Sequence, residues 1–147
     1  MEPKFDADTG YLPAGVYSMD WGSFAVRFGW NNRRRFLLGG MQRALANLRA
    51  AGCVAAIIDG SFVTNKEEPG DYDLAFDPTG MNGSLVDPVL RRYDDGRKAM
   101  KAKYFGEVFP WGVMACATTK LIYLDFFQRD RSGVAKGVVL LDVKLMP

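Results

Sequence analysis

The chain contains no histidine. That absence excludes Ser-His-Asp and Cys-His catalysis, imidazole metal ligands and imidazole proton shuttles. Cysteine is scarce: Cys53 and Cys116, 63 positions apart, make neither a four-ligand zinc site nor a disulfide framework, and both read as small buried hydrophobes. Long apolar runs are missing as well, since stretches such as Cys53 to Ile58 fall far short of the ~20 residues that cross a bilayer. The first twenty residues are acidic and show no basic segment followed by an apolar one, so no secretory signal is read there. The expectation is a reduced, cytoplasmic protein with no membrane partner. Carboxylates, hydroxyls, lysines and bound metal ions remain to carry any chemistry.

What is present is an ordinary globular composition: 147 residues, 48% apolar, 24% charged and 13% aromatic, read as one domain over residues 1–147. Residues 1–29 read as an irregular arm followed by a short covering helix that sets Trp21, Phe24 and Phe28 at helical spacing. Asn31 or Asn32 caps a helix from Arg33 to about Ala51, closed by Gly52, with Leu37, Met41, Ala44, Leu45 and Leu48 as its buried stripe. Arg33, Arg34 and Arg35 fall in its first turn, where positive charge opposes the macrodipole and wants an anion or an acidic neighbour. Cys53 to Ile58 reads as a buried strand ended by Gly60-Ser61, and Asp71 to Phe76 as a strand with two unlike faces. A broken helical stretch follows Asp87-Pro88 and resumes over Arg97 to Lys103. The runs 120–128 and 136–144 read as a hairpin. The order of elements predicts an α+β fold, a mixed or antiparallel sheet flanked by helices.

Asp71 and Asp73, two apart on a strand, leave the same face with α-carbons roughly 6.6 Å apart and repel unless a cation separates them. Hard divalent ions take such oxygen ligands, and Mg²⁺ is held by one or two carboxylates together with substrate phosphates. A two-metal centre needs a third acid. Asp125, alone within the apolar run 121–127, is the leading candidate, and Asp142, within 138–143, is its rival. Gly60 and Ser61 precede the pair: a glycine admits close backbone approach, and a serine hydroxyl with neighbouring amides holds phosphate oxygens.

The order apolar strand, Gly60-Ser61, nine residues, Asp71, one residue, Asp73, apolar strand resembles the signature of the nucleotidyltransferase superfamily that includes DNA polymerase beta. The chain is also similar to an uncharacterised family of short bacterial proteins with nucleotidyltransferase-like cores, through 59–64, 69–73, 96–104 and 126–131. The resemblance implies that Gly60 and Ser61 hold a triphosphate and that Asp71, Asp73 and Asp125 bind Mg²⁺ or Mn²⁺. It implies that Asp125 also assists deprotonation of an acceptor hydroxyl. The reaction it implies moves a nucleoside monophosphate from an NTP to a hydroxyl on RNA, tRNA included, or on protein, in a toxin-antitoxin or phage-defence setting. The chain departs from that pattern in its acidic loop, Glu67-Glu68, and in lacking the C-terminal helical domain that relatives carry.

Charge is segregated. Residues 59–77 carry six acids against Lys66, a net of −5, and residues 91–103 carry six bases against two acids, a net of +4. Arg97, Lys98 and Lys101 share a helical face suited to phosphate or a nucleic-acid backbone, and Lys66 stands within the loop as a further phosphate contact. Plain solvated faces give the same patterns. Phe105, Phe109 and Trp111 read either as a base-stacking cluster or as packing beneath a loop. A non-catalytic protein that keeps the fold and binds a nucleotide, nucleic acid or protein partner is the alternative to the enzyme.

Overall fold

The computed structural model describes residues 3–112, 114–116, 121–122, 128, 130 and 132–146. Strand β1 (Val16–Met19) precedes α1 (Trp21–Phe28), whose cap is Asp20: its carboxylate accepts from the Ser23 N–H at 2.7 Å. Helix α2 (Asn32–Ala50) starts at Asn31, whose side-chain oxygen accepts from the Arg34 N–H, and ends before Gly52 in a left-handed turn at φ +101°. Strand β2 (Ala55–Asp59), a 3₁₀ turn over Gly60–Val63 and strand β3 (Asp73–Phe76) follow. Further 3₁₀ turns lead to α3 (Lys98–Tyr104) and β4 (Glu107–Pro110), after which come β5 (Met114–Cys116), β6 (Leu121–Ile122) and β7 (Val138–Asp142).

Five strands form a mixed sheet in the order β1-β7-β2-β3-β4. The outer pairs β1/β7 and β3/β4 run parallel, while β2 is antiparallel to both β7 and β3. Alternation along the strands divides the apolar residues between two layers. Ala56, Ile58, Leu74, Phe76, Val108, Val139 and Leu141 face the helices, meeting Phe24 and Phe28 of α1 and Leu37, Met41, Ala44, Leu45 and Leu48 of α2. Ile57, Ala75, Phe109 and Val138 lie on the opposite face, with Trp111 and Leu140 against them. Cys53 is buried, as its apolar surroundings predict.

A glycine sets the closeness of the two longer-range helices. A Cβ on Gly40, midway along α2, would lie 2.1 Å from the carbonyl oxygen of Tyr104 at the end of α3. Glycine within a helix costs about 1 kcal/mol relative to alanine, and the contact with α3 is what that cost permits. No described helix is long and apolar enough to cross a membrane.

Three expectations need correction. Residues 16–19 form an edge strand rather than part of an irregular arm, because Val16 to Met19 pair in parallel with Val138 to Leu141, more than a hundred positions away. Asp71 precedes β3 instead of lying within it, since the strand starts at Asp73. Strand β7 is not the partner of the preceding run: it bonds to β1 and β2, while β6 pairs with β5. Of the expected hairpin the described residues show the backbone bond from Lys136 N–H to the Gln128 carbonyl at 2.9 Å. Asp125 lies outside the described residues.

The crossover joining β3 to β4 is pinned through Asp87. Its carboxylate accepts from Lys103 Nζ and the Tyr104 hydroxyl on α3 and from the Val89 N–H, and the first two hold its pKa down at about 2. A depressed carboxylate stabilises the fold above its unfolded value near 3.8 and loses that contribution as pH falls toward about 2. Asp87→Asn is therefore expected to lower the urea midpoint at pH 7, with the gap from wild type narrowing as pH falls from 3.8 toward about 2. A gap independent of pH would contradict it.

Candidate functional site

The segment between β2 and β3 turns its carbonyl groups inward, and the arginines at the start of α2 collect them. Arg34 is fully buried; its guanidinium donates to the carbonyls of Phe28, Phe62, Thr64 and Lys66 at 2.6–3.2 Å. It lies 3.6 Å from the Trp30 ring centroid and 5.1 Å from that of Phe62. Burial draws its pKa down to about 10, Glu67 opposing, so it stays charged at neutral pH. Arg33 extends the clamp to the Pro69 carbonyl at 3.0 Å and the Gly70 carbonyl at 2.5 Å, and Asn31 and Trp30 both bond to Glu67. The basic first turn thus meets carbonyl oxygens instead of an external anion, as five fixed N–H donors allow.

This clamp fixes both ends of the loop, and with them the acids. Asp59 closes β2 opposite Asp73, and Asp73 is opposite Glu107 on β4. Paired residues share a face, so three carboxylates line one row across three adjacent strands, on the face that also carries Ile57, Ala75 and Phe109. Gly60 follows at φ +78°, and a Cβ on it would lie 2.3 Å from Asp73 Oδ2, so only glycine fits beside that carboxylate.

Cations already lean on the row. Lys136 Nζ is 3.2 Å from Asp59 Oδ2, while Arg97 Nη2 and Lys101 Nζ each stand 3.0 Å from Glu107 Oε1. Burial raises Asp59 to about 6 despite Lys136. Burial, and then the charges of Asp71, Glu107 and Asp59, push Asp73 well above the ordinary carboxylate range. The hydrogen bond that Asp73 shares with Glu107 acts in the same direction. Burial acts to raise Glu107 too, but Lys101 and Arg97 outweigh it and hold it ionised. Asp71, half-buried beside the row, is raised by burial and Glu107 and eased by Lys101, Lys66 and Arg33.

Of the residues singled out in the sequence, Gly60, Asp71, Asp73, Arg97 and Lys101 come together here. Ser61 is the second residue of the adjoining 3₁₀ turn, Lys66 lies exposed in the loop within electrostatic reach of Asp71, and Lys98 is exposed on α3. Asp142 sits opposite Ala55, at the other end of β2, and caps the Lys144 N–H, so it is remote from the pair. Phe109 and Trp111 pack on the sheet; Phe105 stacks on Phe36.

Asp59 and Glu107 escaped the sequence reading. A signal existed: Asp59 ends an apolar strand, where an unpaired carboxylate is costly, and Glu107 sits between Phe105 and Val108. Two buried polar atoms among the described residues lack a hydrogen-bond partner, Asp59 Oδ1 and the Tyr72 hydroxyl. Among the described residues no three acids converge tightly enough to hold an ion unaided; two cationic side chains already stand on Glu107.

Residues 3–142 match a family of unknown function (DUF6932), and the chain belongs to that family. No curated protein and no solved structure matches the chain.

Replacing Arg34 by Met orphans several inward carbonyls and is expected to cost at least roughly 3 kcal/mol in urea unfolding. Arg34→Lys, a single flexible point charge, is expected to recover little of it. Full stability in either variant would show that the loop does not depend on the clamp.

Proposed function

We propose that this member of a family of unknown function is a metal-dependent nucleotidyltransferase, moving a nucleoside monophosphate from an NTP to a hydroxyl on RNA or protein. The observation that carries the reading is the in-register row Asp59, Asp73, Glu107, with Asp71 alongside and Gly60 bare against Asp73. Burial first, and then the charges of its acidic neighbours, raise Asp73 well above the ordinary carboxylate range, and a divalent cation relieves such crowding.

Asp71 and Asp73 offer such an ion oxygen ligands and would hold it, with Asp125 as the further acid, and the unpartnered Asp59 Oδ1 offers a place for a bound water. When bound, the ion neutralises charge on the nucleotide phosphates and polarises the α-phosphorus toward attack. The chain's own parts do the rest. Gly60 and Ser61 let phosphate oxygens approach the backbone. Lys66, Arg97, Lys98 and Lys101 would supply positive charge to the outgoing pyrophosphate, Arg97 and Lys101 from their places beside Glu107. A bond forms between the acceptor oxygen and the α-phosphorus, the α–β phosphoanhydride breaks, pyrophosphate leaves, and a carboxylate takes the acceptor proton.

A second reading, a non-catalytic binder of the same fold, draws support from the same cations, because Arg97 and Lys101 already balance Glu107 without any metal. One experiment separates the two. With α-labelled NTPs, Mg²⁺ or Mn²⁺, and total tRNA or lysate, the wild type is expected to transfer label. Asp71→Asn and Asp73→Asn are each expected to lose at least about a hundredfold. Gly60→Ala, whose methyl would displace the Asp73 carboxylate, is expected to lose activity while still folding. Equal transfer by wild type and Asp73→Asn would reject the enzyme, and nucleotide binding without transfer under either metal would favour the binder.

A further inference from the structure

Beside the acid row, Phe36 on the exposed flank of α2 lies open to solvent against the half-buried Phe105 that follows α3. Phe36 is 51% exposed and stacks on Phe105, with ring centroids 4.2 Å apart and planes 18° from parallel. An arginine stands at each end: Arg33 lies 5.5 Å from the Phe36 centroid, and Arg43 5.0 Å from that of Phe105. Phe105 adopts a left-handed backbone, φ +65°, a conformation that a bulky residue takes only under constraint from its surroundings.

Charge distinguishes this strip from the basic run on α3. Arg97 and Lys101 are balanced by Glu107, Lys103 by Asp87 and Arg92 by Asp94. Arg33 and Arg43 instead donate to carbonyls, of Pro69 and Gly70 and of Gly39 and Lys103, and a neutral oxygen leaves a guanidinium its full charge. Positive charge at both ends of a flat apolar platform matches one kind of partner: a strand with anionic phosphates and unpaired bases. A duplex would present no free base face.

The strip also reaches the acids. Arg33 acts on Asp71 and holds the carbonyl just before it, and Phe105 is two residues from Glu107. We infer that Arg33, Phe36, Phe105 and Arg43 bind single-stranded nucleic acid and lead its end toward the acid row. This deepens the nucleotidyltransferase reading and rests on it for the role of the bound strand, though not for binding itself.

The test is fluorescence anisotropy with a labelled oligouridylate, in EDTA and without nucleotide, so that no turnover enters. Wild type is expected to bind, more weakly as salt rises. Phe36→Ala, at a half-exposed position where folding is safe, is expected to bind roughly tenfold more weakly, and Phe36→Trp to restore affinity. Arg43→Gln should bind more weakly with a salt slope shallower by about one. Unchanged affinity in Phe36→Ala, or equal affinity for a duplex of the same length, would overturn the inference. Asp73→Asn is expected to keep oligonucleotide binding. Binding through Phe36 with no label transfer by wild type would therefore reject the enzyme alone, and transfer without Phe36-dependent binding would reject this surface alone.

Discussion

One buried guanidinium holds together the end of the sheet where the acids gather. The segment from Ser61 to Lys66 joins two antiparallel neighbours without a tight hairpin, which leaves its carbonyls facing the protein with no strand to bond to. Arg34 satisfies them, and the Asn31 cap ties that side chain's own backbone to the start of α2. Taking a charge out of water is expensive, and here the return is many short charge-assisted bonds converging from one planar group. The entry of Asp71 and Asp73 beside Gly60 follows from that clamp, since Arg33 and Arg34 fix the loop at both ends.

What the clamp positions is an electrostatic conflict. Strand register places Asp59, Asp73 and Glu107 side by side, at the spacing that stabilises paired apolar residues and destabilises like charges. The molecule eases the conflict locally, with Lys136 on one flank and Arg97 and Lys101 on the other. Next to it, Arg33 and Arg43 donate to carbonyls that cannot neutralise their charge, so the acid row and a positive aromatic edge adjoin each other.

Much of the fold was legible in order along the chain. Trp21, Phe24 and Phe28, and the α2 stripe from Leu37 to Leu48, are periodic over enough residues to declare a helix and its buried side. The β2 run and the Gly60-Ser61 stop were equally local signals. Strands β1 and β4 were not legible, because four residues carry too little alternation to stand out and each owes its existence to a partner elsewhere. Arg34 shows the same limit: three consecutive arginines in a first helical turn look alike, and only the fold assigns one to the core.

By itself the sequence determined the helices, the apolar strands, the glycine stop and the paired aspartates, since each of these rests on contacts between near neighbours. Tertiary structure alone decided which acids stand beside Asp73, because a carboxylate's neighbours across a sheet are set by register, and register depends on how segments far apart in the chain share one hydrophobic face. It decided the fate of the cations by the same means: whether an arginine meets a carboxylate, as Arg97 does, or a carbonyl, as Arg33 does, depends on distances that no spacing along the chain encodes.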